Sequence, residues 1–274
     1  MVDTNGRFKA RLEGATSGNV LLRQAQHRKA NDENFALTTA QAIIAGKLRN
    51  ARQVLLRGAR ESNDETDQKI LSSTAESLAF SIRNLPHSKN LDQVRGIEGD
   101  AAKTYFSALP RLVRKDIREF FTMDGRTRRP PRDRFNAMLS FIYSLVMNDC
   151  RSALERLDPQ IGFLHAVRPG RAALALDLME EFRSFMADRL ALTLINRGQI
   201  TAQDLLVREG GAVHLEDKAR KAVVIAYQER KQEEITHPLL ETKVPIGLLP
   251  QLQARFMARV IRGEMDGYLP FLVR

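Results

Sequence analysis

A chain of 274 residues with 43% hydrophobic side chains can bury a large core, which argues against disorder, and no stretch approaches the ~20 apolar residues that a bilayer crossing needs. The single cysteine, Cys150, excludes an internal disulfide framework, and residues 1–6 lack the charged-then-apolar order of a secretory signal, so a cytoplasmic setting is expected. Lys and Arg outnumber Asp and Glu by 43 to 33, a formal charge of +10 that points to a polyanionic partner, nucleic acid ahead of a membrane surface.

Residues 7–13 alternate polar and apolar as a half-buried strand does, and Gly14 and Gly18 end the pattern. A lone strand has nothing to pair with, so the chain is expected to open near the end of a β-rich unit. Helical periodicity then takes over. Leu22, Ala25 and Gln26 start one segment, and a longer helix is expected from about residue 33 to 61. Asp64 opens the next, with Ile70, Leu71, Ala75, Leu78, Ala79 and Ile82 on its apolar positions and Pro86 as its stop. Leu91 to Leu109 forms another, ended by Pro110.

Between Arg111 and Arg134, nine Lys or Arg stand against four acids, so half of the net charge lies in this one segment. Its part from 122 to 134 contains Pro130-Pro131 and cannot bury a face, which predicts a mobile basic loop. Arg126, Arg128, Arg129 and Arg132 are its candidate DNA contacts; the plain alternative is a solvated charge run. Two apolar helices, roughly 134–157 and 172–196, are expected at the centre of the core. The connection between them carries Asp158-Pro159, His165 and Arg168-Pro169-Gly170-Arg171, with Arg168 and Arg171 as further DNA-contact candidates. Gly210-Gly211 between two apolar triplets predicts a short hairpin, helices at about 216–234 and 246–264 follow, and an aromatic tail runs from Tyr268 to Phe271. The expected class is mainly α, with a residual N-terminal strand and one short β-hairpin.

Chemistry concentrates in Leu174–Phe182, where Asp177, Glu180 and Glu181 interrupt an apolar run. At 100° per residue Asp177 and Glu180 lie about 60° apart, and two carboxylates converging in apolar surroundings need a cation or a proton between them. A divalent metal is the economical solution, and phosphoryl transfer uses one. Alone, His165 would be a hydrogen-bonded structural residue, and Glu98 in Gly96-Ile97-Glu98-Gly99 would be a glutamate favoured early in a helix. Tyr105, seven residues after Glu98 on the same helix face, is a candidate DNA contact, although such spacing usually marks a packed aromatic. His214 and His237 have no converging ligands and receive no role.

The segments 96–106 (Gly-Ile-Glu-Gly-Asp-Ala-Ala-Lys-Thr-Tyr-Phe), Asn136 with 139–143, 158–165 (Asp-Pro-Gln-Ile-Gly-Phe-Leu-His) and 174–183 (Leu-Ala-Leu-Asp-Leu-Met-Glu-Glu-Phe-Arg) resemble, in order and interval, the successive motifs of the CRISPR-associated integrase, Cas protein one. Residues 230–238, 245–249 and 268–272 look like its type I-C branch, and the likeness covers essentially 7–274. The resemblance implies that Glu98, His165 and Glu180 bind a catalytic Mg²⁺ or Mn²⁺, with Asp177 as an auxiliary acid. It implies a metal-dependent DNA endonuclease and integrase of spacer acquisition. In that reaction a protospacer 3′-hydroxyl attacks a phosphodiester of the CRISPR repeat, with double-stranded DNA, Cas protein two and a second copy of the chain as partners. It divides the chain into 1–18, a remnant of an N-terminal β-domain and linker, and 19–274, an α-helical metal-dependent catalytic domain; the shortened β-domain puts dimerisation in doubt. Arg156-Leu157-Asp158 departs from the family's Gly-Leu-Asp turn. The alternative reading is a catalytically impaired, truncated DNA-binding scaffold of the same family.

Overall fold

In a computed structural model, residues 19–166 and 168–273 are described. The strand expected at 7–13 lies outside them. Helix starts are written in single side chains: Asp32, Asp64, Asn90 and Asp133 each accept a hydrogen bond from the backbone N–H three residues on, at 2.7–3.1 Å. These caps open α2 (Glu33–Glu61), α3 (Glu65–Asn84), α4 (Leu91–Ala108) and α5 (Arg134–Ala153), after a short α1 (Val20–Ala30). Long α2 is the spine. Ala36, Ala40, Ile43, Ile44, Leu48, Ala51 and Leu55 recur at helical spacing and are all buried, and α3, α4 and the segment 173–188 pack around them. Small size matters at Gly46, where a Cβ would stand 2.5 Å from Cβ of Pro270. The tail at 268–271 therefore crosses α2 at backbone range.

The helix expected at 172–196 is broken. It consists of α6 (Ala173–Glu180), a wide π turn over Arg183–Asp188 and α7 (Arg189–Asn196). No Pro or Gly marks the break, so apolar periodicity runs across it unseen; π insertions of this kind concentrate at functional sites. Within the turn, Asp188 takes hydrogen bonds from Tyr143 at 2.7 Å and Tyr105 at 2.8 Å, wholly inside the core. Burial pushes the Asp188 carboxyl up to about 6, against the pull of those two hydroxyls.

The expected hairpin forms between β1 (Leu205–Val207) and β2 (Val213–Leu215), and Gly210 and Gly211 take the positive φ values its turn requires. After α8 (Asp217–Gln232) comes a second, unexpected hairpin, β3 (Glu234–Thr236) against β4 (Lys243–Pro245), and then α9 (Leu249–Ile261). His237 organises that second turn: its backbone N–H bonds Thr242 O at 2.9 Å, and its buried Nδ1 accepts the N–H groups of Leu239 and Leu240 at 3.3 Å each. Among the described residues no helix is long and apolar enough to cross a membrane.

The segment 122–133 is irregular but not free, which corrects the expected mobile loop. Buried Asn136 bonds Gly125 O at 2.9 Å and accepts Arg126 Nη1 at 2.6 Å. At the other end Val213 N bonds Pro131 O at 2.9 Å, and Arg132 Nη1 bonds Gly210 O at 2.8 Å. The loop is thus sewn to the first turn of α5 and to the first hairpin.

Glu181 fastens the tail. Its carboxylate accepts from the Tyr268 hydroxyl, the Phe271 N–H and Gln253 Nε2, while Phe182 and Phe185 pack on Phe271 at centroid separations of 6.0 and 5.5 Å. Burial outweighs these donors and pushes Glu181 up to about 8. The native state therefore holds a proton that the unfolded chain releases above its ordinary carboxylate pKa of 4.5, so this group's stabilising contribution is complete at low pH and is lost as pH rises toward 8. Urea melts between pH 5 and pH 9 should show that decline in the wild type and a flatter profile in Glu181→Gln; parallel profiles would refute the assignment.

Candidate active site

His165 is built by the chain around it. Gln26 on α1 accepts Asp158 N at 2.8 Å and donates to Asp158 O and Ile161 O at 2.7 Å each, and Arg95 on α4 donates to Leu164 O at 2.8 and 3.0 Å. The approach is therefore held at Asp158 itself, two residues after Arg156. Asp177, fully buried on α6, then closes the structure. Its Oδ2 accepts the N–H groups of Phe163 and Leu164 at 2.6 and 3.0 Å, and its Oδ1 accepts the N–H and Nδ1 of His165 at 3.0 and 2.7 Å. Gly162 lets the loop come this close, because a Cβ there would meet Asp177 Oδ2 at 2.7 Å.

These bonds correct the role expected of Asp177. A carboxylate offers about four acceptor positions, and all four donors are already present, so no lone pair is left for a metal. Asp177 is a positioning residue. By taking the proton on Nδ1 it leaves His165 Nε2 as the free lone pair, which points towards Glu180 Oε1 at 3.8 Å.

Glu180 stands one helical turn on and faces the opposite environment. Arg183 grips it with Nε at 2.9 Å and Nη2 at 3.0 Å, and Lys47 Nζ from α2 lies 2.7 Å from its Oε2. Burial works to raise this carboxyl, but the charges of Arg183 and Lys47 overcome it and hold Glu180 far below the usual carboxylate range. The same Lys47 ammonium also pairs with Glu98 on α4. Glu98 and Glu180 thus meet at one point, where the charge is a lysine, and His165 Nε2 stands beside the other oxygen of Glu180.

The three do not form a finished metal cage: among the described residues no group of three His, Cys, Asp or Glu side chains is placed to hold an ion. The donor set nevertheless fits one, since two carboxylates and an imidazole suit Mg²⁺ or Mn²⁺ and Lys47 already marks the place where a cation is stable. An ion at that position would displace the Lys47 ammonium.

These groups line a cleft of about 600 Å³. Arg128, Arg168 and Arg171 are on its wall, as are Arg126 and Arg183, whereas Arg129 and Arg132 are not among its lining residues. Arg126 is a correction to the expected flexible contact: half-buried, it bonds Asn136 and Ser140 and lies 5.2 Å from the Tyr143 ring centroid. Tyr105 is a second correction, because it is 4% exposed and its hydroxyl is committed to Asp188. Lys47, Arg95 and Arg183 are the functional candidates that sequence reasoning missed. Arg183 lay inside a motif already singled out. Lys47 carried one weak signal, a charge between the core residues Ile43, Ile44 and Leu48.

A family model described as CRISPR associated protein Cas1 matches residues 1–229. The chain belongs to this family. The CRISPR-associated endonuclease Cas1 1 of Moorella thermoacetica is 58% identical over 274 residues, covering 99% of this chain and 80% of the relative. Among solved structures, a casposase bound to integration product superposes with a TM-score of 0.77 at 21% identity, over 91% of this chain and 71% of that one. A Cas6-RT-Cas1–Cas2 complex superposes with a TM-score of 0.77 at 24% identity, over 92% of this chain and 26% of that one. At these identities the two structures show that the Cas1 helical fold is shared.

Proposed function

We propose that this Cas1 family member is a divalent-metal-dependent DNA endonuclease and integrase of CRISPR adaptation, which inserts protospacer DNA into the repeat array by 3′-hydroxyl transesterification. The observation that carries the reading is the pairing of Glu98 and Glu180 with one Lys47 ammonium, with His165 Nε2 3.8 Å from the other oxygen of Glu180, in an arginine-lined cleft. Those three side chains would hold Mg²⁺ or Mn²⁺. When bound, the ion supplies Lewis acidity at the scissile phosphate and offsets its developing charge.

The remaining work falls to the chain. Asp177 holds the His165 imidazole in one tautomer and one orientation. Arg128, Arg168 and Arg171 on the cleft wall bind phosphates on either side of the reacting one. Among the described residues the lining holds no Ser, Thr or Cys, and the Tyr143 hydroxyl is bonded to Asp188; in the proposed integration the nucleophile is the DNA's own 3′-hydroxyl. A protospacer 3′-oxygen forms a bond to phosphorus as the repeat's own P–O3′ bond breaks, and the proton lost by the incoming hydroxyl balances the one gained by the departing oxygen. The number of phosphodiesters is unchanged. Double-stranded DNA, Cas2 and a second copy of the chain complete the proposed partners, which the relative's endonuclease name and the casposase and Cas1–Cas2 superpositions support.

The test is half-site integration with Cas2 and Mn²⁺. Glu98→Ala and His165→Ala should each lose on the order of 100-fold or more in rate, and EDTA should abolish the wild-type reaction. Equal activity in all three proteins would sink the metal-site assignment, and no integration by the wild type would favour a non-catalytic DNA-binding scaffold.

A further inference from the structure

Apart from the catalytic cleft, the fold has a second and larger one, of about 690 Å³, between the C-terminal part of α2, the segment 111–118 and α7. Its lining holds seven Lys or Arg and four Asp or Glu. Every one of those carboxylates is already matched. Arg57 pairs with Glu61 at 2.7 Å, Arg118 with Asp67 at 2.6 Å and Arg111 with Asp67 at 3.4 Å; Arg114 pairs with Asp116, and Lys115 with Asp64. Two cations are left, Arg189 and Arg197, both on one side of the cleft. Among the described residues neither guanidinium has an ion pair or a hydrogen bond.

Arg189 is the more telling of the two. It is half-buried, its guanidinium lies 5.8 Å from the Phe185 ring centroid, and Arg230 lies over the same ring at 5.3 Å. Burial, then the like charges of Arg230 and Arg57, push its pKa below the ordinary arginine value, with Glu61 and Glu233 opposing only in part. A guanidinium held among other cations without a partner of its own is stabilised by an anion from outside.

We infer that Arg189 and Arg197 form a second anion site in this cleft, which takes a phosphodiester of the DNA duplex several base pairs away from the reacting bond. This inference deepens the DNA-processing function proposed above and rests on it. Lys47 at the catalytic cation position and Arg57 at the second cleft share α2, roughly 15 Å apart by its rise, which is about four base-pair steps of duplex. The two clefts thus flank one helix, and in the proposed arrangement a duplex that engages the first and follows α2 carries its backbone past the second. The planar guanidinium fork suits phosphate oxygens, and a concave cleft admits a sugar–phosphate strand more readily than a folded acidic surface.

The test is fluorescence anisotropy with a labelled duplex of about 30 base pairs in EDTA, across a salt series. Arg189→Gln should weaken binding about tenfold and reduce the slope of log affinity against log salt by about 1. Arg197→Gln, at an exposed position where folding is not in question, should do the same, and both changes should leave Mn²⁺ affinity as it was. If wild type binds the duplex and both variants match it in affinity and slope, the anion site is overturned and an acidic protein segment becomes the better occupant. If wild type does not bind the duplex at all, the DNA-processing reading falls and this site with it.

Discussion

Asp177→Ala should be among the most damaging single substitutions in the chain, costing about 3–5 kcal/mol of stability and nearly all activity. The carboxylate ends four hydrogen bonds inside the core, three from backbone N–H groups and one from His165 Nδ1. Truncation leaves all of those donors buried without an acceptor, which costs more than the bonds themselves contribute. Asp177→Asn keeps the volume but turns an amide N–H towards N–H donors, so it should recover only part of the loss. Urea unfolding measures the first effect. The imidazole ¹⁵N spectrum measures a second that mere destabilisation would not produce: a population of His165 protonated on Nε2 should appear in Asp177→Asn. An Asp177→Ala chain within about 1 kcal/mol of wild type would refute this account.

Lys47→Met should have two opposite effects. Without metal, Glu98 and Glu180 lose their shared counter-ion, and the protein should be destabilised by about 1–3 kcal/mol because two carboxylates then face each other with only Arg183 to balance them. With metal, the proposed ion no longer has to displace an ammonium group. Mn²⁺ should bind metal-stripped Lys47→Met at least about tenfold more tightly than wild type by calorimetry, and should raise the variant's Tm by more than it raises the wild type's. Lys47→Arg, which keeps the charge, should restore the metal-free stability without the gain in affinity. Unchanged or weaker Mn²⁺ binding in Lys47→Met would mean that the lysine and the ion do not share a position.

Much of the scaffold is legible in local sequence because it is written locally. A cap such as Asp32 or Asp133 bonds a backbone N–H three residues away, and the α2 stripe from Ala36 to Leu55 needs only its own spacing to be recognised. The π turn at 183–188 is different, since widening a helix leaves its apolar content intact and shifts only which side chains point together. The second hairpin is hidden for another reason: Thr236-His237-Pro238 has no Gly-Gly or Asn-Gly, and the turn is organised by a buried imidazole accepting two N–H groups. At the site, helical geometry does place Asp177 and Glu180 near one another, yet it cannot say which will spend its oxygens on the preceding loop. Lys47 is the hardest case. It reaches Glu98 across 51 residues and Glu180 from farther still, so only the folded chain reveals that the charge between the two carboxylates is already supplied.

The fastening of the tail by Glu181 also bears on the timing of synthesis. Phe271 is fully buried against Phe182 and Phe185, and Asn50 on α2 binds the carbonyls of both Glu181 and Phe271 at 2.8 Å. The segment of chain that carries Glu180 is therefore packed on residues that leave the ribosome some ninety positions later. Until residue 271 has been made, the segment that carries Glu180 lacks the tail on which Glu181, Phe182 and Phe185 pack.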